Sequence, residues 1–150
     1  MRHFCLALVT ATLALTGAAH AAEHASKTEA QALVKKAVAH YKSVGREKAF
    51  TDFNQKGGGF TDRDLYVFVS EFTGKSLAHG ANEKLIGRDL LPLKDVDGKA
   101  FVLAMIDQAK TGKAGWTDYK WPNPQSKEIE AKTSYCEPLE TMIICVGAYK

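Results

Sequence analysis

Residues 132–150 read "KTSYCEPLETMIICVGAYK", and the spacing of the two cysteines in that stretch decides how the chain folds. Two apolar, strand-forming runs flank Glu140 and Thr141, the pattern of a hairpin with a two-residue loop. With those two residues as the loop, Leu139 falls opposite Met142, Pro138 opposite Ile143 and Cys136 opposite Cys145. Counted from the closing pair, the cysteines occupy a non-hydrogen-bonded pair, where facing side chains come closest. The same register turns the nitrogen of Pro138 away from its partner strand, so its missing donor does no harm. Two independent features agree on one register, with a Cys136–Cys145 disulfide as its staple; two buried free thiols are the alternative. No Cys-x-x-Cys spacing marks the pair as redox-active.

Upstream of the hairpin the period of two continues. Residues 115–121 and 130–138 read as strands, which with 142–148 make three antiparallel strands. "DLYVFVSEF" (64–72) alternates Leu65, Val67 and Val69 on one face with Tyr66, Phe68 and Ser70 on the other. Thr73-Gly74-Lys75 is a turn, and "SLAHG" (76–80) is the returning strand. Two helical stretches precede the strands. "SKTEAQALVKKAVAHYKSVG" (26–45) opens with a capping box, Ser26 and Glu29, and ends at Gly45. Its apolar stripe runs Ala30, Leu33, Val34, Ala37, Val38, Tyr41, Val44. "REKAFTDFNQ" (46–55) is a shorter helix burying Ala49, Phe50 and Phe53. A third helix, within "KAFVLAMIDQAKTG" (99–112), buries Phe101, Val102, Met105, Ile106 and Ala109. The intervening "ANEKLIGRDLLPLKDVDG" (81–98) has too many breakers for one long element and reads as a long connection with short helical turns at most. The order predicts an α+β fold, a five-stranded antiparallel sheet with helices segregated to one side.

The N-terminal end has a different character. Arg2 and His3 precede an uncharged apolar run, 4–19, and Ala19-His20-Ala21 places small residues where a signal peptidase reads them. Residues 1–21 are therefore expected to be a cleaved secretory signal peptide and 22–150 a single domain. A retained anchor is the alternative, although the run falls short of the ~20 residues of a spanning helix. Secretion into a bacterial periplasm fits an oxidising compartment for the cysteine pair. The chain holds 20 Lys and Arg against 17 Asp and Glu, a formal net charge of +3. These charges are interspersed, which argues against nucleic acid or an anionic membrane as partner. No second apolar run follows, and the sequence stops at "VGAYK", so a free-standing module is expected.

Catalytic motifs fail their spacing tests. Gly74-Lys75-Ser76 lacks the glycine that a phosphate loop needs at position 69. Asp95-Val96-Asp97-Gly98 lacks the ligand spacing and distal glutamate of a calcium loop and reads as a tight acidic turn, fixed by Asp95 itself. Histidines 24, 40 and 79 show no metal-ligand spacing, and His24 and His40 read as solvated helix residues. No metal, cofactor or catalytic constellation is expected.

"LYVFV" (65–69), "GKSLAHGANEKLIGRDLLPLKDVDGKAFVLAMI" (74–106), "GWTDYKWPNP" (115–124), "KTSYCEPL" (132–139) and "IICVGAY" (143–149) together resemble the single Cache domain, type 2. Domains of that family are extracytoplasmic sensor modules of bacterial chemoreceptors and histidine kinases, and also occur as free-standing periplasmic proteins. The resemblance runs from the first helix to the C-terminus. Its most specific parts are Ala-His followed by Leu-Ile-Gly, the "KDVDGKAF" turn and the Trp-x-x-Tyr-x-Trp-Pro segment. It implies a PAS-like fold, with a long N-terminal helix behind a curved antiparallel sheet. It also implies a pocket between the sheet and the long connection for small organic ligands, often short carboxylates. The cysteine pair lies outside the family's pattern and is a local staple.

That resemblance gives the aromatic residues of 115–124 a role. Alternation sets Trp116, Asp118 and Lys120 on one strand face and Thr117, Tyr119 and Trp121 on the other. Tyr119 and Trp121 become one wall of the pocket and Tyr66 and Phe68 its floor. Trp116 joins the candidates from the opposite face or from a bulged strand start; ordinary packing of all three rings is the alternative. A carboxylate needs a charge-assisted donor. Arg88 in the connection and Lys132 on the fourth strand are the candidates, with His79 at the pocket mouth. Lys132, Ser134 and Cys136 share one face and Tyr135 takes the other, so Lys132 and Tyr135 both line the site only if the strand twists or bulges. The expected function is small-molecule binding without chemistry, read out by a docked membrane receptor or histidine kinase. An interaction or scaffold protein whose pocket is filled by its own side chains is the alternative.

Overall fold

The computed structural model describes residues 24–150, so the expected signal peptide, residues 1–21, lies outside the described residues. The elements run α1 (Lys27–Val44), α2 (Arg46–Asn54), β1 (Thr61–Asp62), β2 (Leu65–Glu71), β3 (Ser76–His79), α3 (Phe101–Lys110), β4 (Gly115–Pro122), β5 (Ile129–Leu139) and β6 (Met142–Tyr149). The capping box of α1 is formed: the Ser26 hydroxyl accepts from the Glu29 N–H at 3.2 Å, and the Glu29 carboxylate accepts from the Ser26 N–H at 2.7 Å. The helix buries Ala30, Val34, Ala37 and Tyr41. Val44, assigned to the end of that stripe, is 39% exposed, because the chain turns away at Gly45. Gly45 joins α1 to α2 at φ 83° and ψ 170°, a region open to glycine alone. The corner lets α2 pack Ala49 and Phe53 into the same core as α1.

The sheet has six strands, the addition to the expected five being the two-residue β1 against the start of β2. β2, β6, β5 and β4 lie side by side in that order, and β1 and β3 both pair with β2. Hairpin β5–β6 has the register read from the cysteines, with Leu139 opposite Met142, Pro138 opposite Ile143 and Cys136 opposite Cys145. The cysteines are joined in a disulfide with their Cα atoms 4.2 Å apart, the short spacing of a non-hydrogen-bonded pair. Glu140 takes φ 55° to make the tight loop. The last strand, β6, occupies the middle of the sheet and is buried along its whole length.

Alternation sorts the strands into two cores. Leu65, Val67, Val69, Met142, Ile144, Val146 and Ala148 meet α1 and α2. Tyr66, Phe68, Tyr119, Cys136, Ile143 and Cys145 point the other way. Segregation of every helix to one side does not hold: α3 packs on this second face through Phe101, Val102, Met105, Ile106 and Ala109. The face carries more apolar surface than the largely irregular connection 80–100 can cover alone. That connection is held at both ends. Near β3, the Ser76 N–H donates to Arg88 O at 2.9 Å and the Leu90 N–H to Gly74 O at 2.9 Å. At the other end, Asp95 accepts from the N–H groups of Asp97 (3.0 Å) and Lys99 (2.9 Å), fixing its turn, and from Lys120 N–H of β4 at 3.0 Å.

Two histidines read as solvated are engaged. His24 Nδ1 lies 2.8 Å from Asp64 Oδ2, and His40 Nε2 lies 2.7 Å from Asp52 Oδ2 with its ring centroid 4.8 Å from that of Phe60. Their partners come from other segments, which helical periodicity does not report.

Candidate ligand-binding site

The second face holds a group that a core does not need. Lys132 of β5 is 0% exposed. Its Nζ donates to the Tyr66 hydroxyl at 2.7 Å and the Tyr149 hydroxyl at 3.3 Å, standing 4.0 and 4.5 Å from the centroids of those two rings. Tyr66 lies on β2, on the far side of β6, so the lysine chain must cross a whole strand. Gly147 makes the crossing passable: a Cβ there would stand 2.1 Å from Lys132 Cε and 2.3 Å from Ser134 Oγ. Among the described residues no carboxylate pairs with this amine. Asp64 acts on it only through space, and that buried carboxylate already accepts from the Ala25 N–H at 3.0 Å and faces His24. Burial therefore holds the Lys132 pKa well below its usual 10.5, with Asp64 pulling the other way.

Beside Tyr66 is a cavity of about 20 Å³, room for roughly one water. Tyr66, Phe68 and His79 of the β2–β3 hairpin, Tyr119 and Trp121 of β4, and Phe101 and Val102 of α3 line it, and Leu85, Leu90 and Leu93 of the connection close it. Tyr119 is stacked on Phe101, centroids 4.3 Å apart at 6°, and its hydroxyl lies 2.8 Å from Ser134 Oγ. Burial pushes the phenols of Tyr66 and Tyr119 far above their usual range, so both stay protonated. His79 is neutral, its pKa lowered to about 3 by burial and by the nearby Lys132. Its Nδ1 accepts from the N–H groups of Asn82 at 3.0 Å and Ala81 at 3.4 Å. A neutral ring accepting at Nδ1 carries its proton on Nε2, and that N–H has no acceptor among the described residues.

A second hollow of about 210 Å³ adjoins the cavity through Tyr66, His79 and Trp121 and opens outward. An open groove of about 510 Å³ continues past Lys56 and Arg63. Size favours the groove, but the rings and the neutral histidine meet at the small cavity with the Lys132 amine behind the Tyr66 ring, and convergence of polar groups in an apolar wall marks a ligand site. The set is rich in donors, and no Asp or Glu lines the cavity or the adjoining hollow. Among the described residues, no group of three or more His, Cys, Asp or Glu could hold a metal ion, and no helix is long and apolar enough to cross a membrane.

The residues singled out in the sequence divide. Tyr66, Phe68, His79, Tyr119 and Trp121 come together around the cavity. Lys132 lies on their face but deeper, behind the Tyr66 ring rather than in the wall. Trp116 and Tyr135 pack against each other on the α1 side, centroids 5.2 Å apart, with Lys27 Nζ 4.4 Å from the Trp116 ring. No bulge brings them round, since β4 and β5 pair in unbroken register. Arg88 is exposed and its Nε donates to Lys84 O at 2.9 Å, tying the connection rather than facing the cavity. Tyr149 and Gly147 were not singled out, yet the cysteine register carries both: pairing Cys136 with Cys145 also pairs Lys132 with Tyr149 and Ser134 with Gly147.

The family model described as Single Cache domain 2 matches residues 6–150. The methyl-accepting chemotaxis protein McpP of Pseudomonas putida is 38% identical over 76 residues, 51% of this chain and 14% of that protein. The sensor histidine kinase MctS of Rhizobium johnstonii is 32% identical over 85 residues, 57% of this chain and 18% of that protein. The matched stretch is thus a small part of either relative. Among solved structures, a methyl-accepting chemotaxis protein from Vibrio parahaemolyticus shares the fold with a TM-score of 0.71 at 23% identity, covering 82% of this chain and 87% of that one. A Cache chemosensory domain described as the structural basis for carboxylic acid recognition superposes with a TM-score of 0.70 at 26% identity, covering 81% of this chain and 91% of that one.

Proposed function

The chain belongs to the single Cache domain 2 family, and on that premise we propose that it is a periplasmic sensor module that captures a short organic carboxylate without transforming it. Residues 1–21 direct secretion and are removed, and residues 22–150 are the ligand-binding domain. A membrane chemoreceptor or histidine kinase reads the bound state.

One observation carries this reading: Lys132 is a fully buried amine whose hydrogen-bond partners are phenols. Burial without an opposite charge in contact disfavours the protonated form of that amine, and an anion supplied by a ligand favours it, so carboxylate and ammonium stabilise each other. Tyr66 relays the charge to the cavity, and the free Nε2–H of His79 gives a second donor. The cavity has room for about one water, so a bound acid opens it by displacing Leu90 and Leu93 of the connection, and its methyl or ethyl tail lies against them and Phe101. The related Cache domain described by its carboxylic acid recognition supports the same ligand class. An amino acid has no place for its ammonium, since no acid lines the cavity or the hollow beside it.

The test is a thermal-shift series with acetate, propionate, lactate and pyruvate against glycine and alanine. An acid at a hundred times its dissociation constant is expected to add ~2.7 kcal/mol of stability. Silence from every acid, or equal shifts from the amino acids, overturns the reading.

A further inference from the structure

The hollow outside the cavity is about 210 Å³ against about 20 Å³ within. A ligand held at Tyr66 and His79 therefore finds room to grow outward, past Trp121. The wall it meets there is mixed: besides the shared residues, Ala81, Pro122 and Pro124 give it apolar surface, and Asn82, Asn123 and Lys127 give it polar groups, none of them an acid. Lys127 is its one basic side chain besides His79. Farther out, Arg63 is already committed to Glu29 at 2.5 Å and Asp62 at 2.9 Å, leaving Lys127 the nearer cation.

Lys127 stands on a braced platform rather than a loose turn. Asn123 is 2% exposed, its N–H donates to Glu128 O at 2.8 Å, and its C=O accepts from the Lys127 N–H at 2.9 Å. The Asn123 side chain accepts from the Gln125 N–H and donates to Glu130, both at 2.9 Å. The brace holds Lys127 at φ 66°, left-handed backbone that a residue with a Cβ adopts when its surroundings impose it. The ammonium itself is exposed and, among the described residues, donates only to Pro124 O of its own loop, a bond that water or a ligand replaces at little cost.

We propose that this hollow is a second subsite, in which Lys127 receives an anionic group at the far end of the ligand, so that the whole site takes short dicarboxylates. The proposal rests on the carboxylate reading of the inner site: one carboxylate lies by Tyr66, His79 and Lys132, the other by Lys127. A purely apolar extension gains only contact with Ala81, Trp121 and the two prolines, whereas a second carboxylate also gains a charge-assisted hydrogen bond from a donor already in place.

The experiment is calorimetric titration of the protein with acetate, butyrate and succinate, the last two equal in carbon number. Wild type, Lys127→Gln and Lys127→Glu are compared. Succinate is expected to bind tighter than butyrate, and Lys127→Gln to weaken succinate about five-fold, the size of an exposed charge contact. Lys127→Glu is expected to weaken it further, acetate staying within two-fold in both variants. Added salt should shrink the succinate advantage. Succinate binding no tighter than butyrate, or Lys127→Gln shifting acetate and succinate alike, overturns the subsite and leaves the inner site standing. No binding of acetate or of any other acid overturns the inner site as well.

Discussion

On the face covered by α1 and α2, the sheet presents Leu65, Val67, Val69, Ile144 and Val146. On the opposite face the neighbouring positions of the same strands present Tyr66, Phe68, Cys145 and Gly147, with Lys132 and Ser134 reaching in from β5. The first face is aliphatic and lies flush against alanine-rich helix surface. The second is aromatic and polar, carries a buried amine and a neutral histidine, and keeps a void. Because side chains alternate along a strand, one sheet supports both without compromise. The aliphatic side supplies stability, and it offsets what the ring-lined side gives up by burying charge.

The largest expected effect breaks the stable side alone. Phe53 is fully buried among α1, α2 and Phe60. Phe53→Ala should cost about 3–5 kcal/mol in denaturant unfolding while leaving carboxylate affinity of the folded protein unchanged. A matching loss of affinity would mean that the two faces are not separable.

Acid should act through the other face. The pKa of His79 falls from 6.5 in the unfolded chain to about 3 in the fold. Its contribution to stability is complete above pH 6.5 and is lost as pH falls toward 3, because only the unfolded chain binds the proton in that window. Between pH 7 and pH 4.5 the loss should be about 2–3 kcal/mol in wild type beyond that of His79→Gln, read from denaturant midpoints at each pH. Parallel pH profiles would contradict a buried neutral ring.

A smaller change in stability should come with a large change in binding at Gly147. Gly147→Ala places a methyl group where Lys132 Cε lies. The lysine chain must leave its slot, at a cost of about 1–3 kcal/mol for overpacking. Propionate affinity is expected to fall at least ten-fold, measured by titration calorimetry. Retained affinity would show that Lys132 reaches its place by another path.

Much of this division was legible in the sequence because it follows a period of two. The cysteine spacing gave the β5–β6 register, alternation set Tyr66 with Phe68 and Tyr119 with Trp121, and the family resemblance put those faces and Lys132 on one side. The same alternation put Trp116 and Tyr135 on the other, and only a bulge could have rescued them; the unbroken β4–β5 register shows none. Tyr149 and Gly147 were recoverable too, since the register that pairs the cysteines fixes their partners, and an isolated strand glycine signals close approach. What periodicity does not encode is depth and distance. That Lys132 crosses β6, that His24 meets Asp64 and that Arg88 turns back on Lys84 depend on contacts between segments far apart or outside any repeat. The place of α3 was misread for a related reason: its stripe says that it packs, not on which face.

The most direct test is titration calorimetry of propionate into wild type and Lys132→Met, with thermal unfolding of both. Wild type should bind saturably. The methionine variant should show no measurable binding yet unfold at the same temperature or higher, since it buries an apolar chain in place of an amine. Propionate binding equally to both proteins, or to neither, would contradict a site built around the buried lysine.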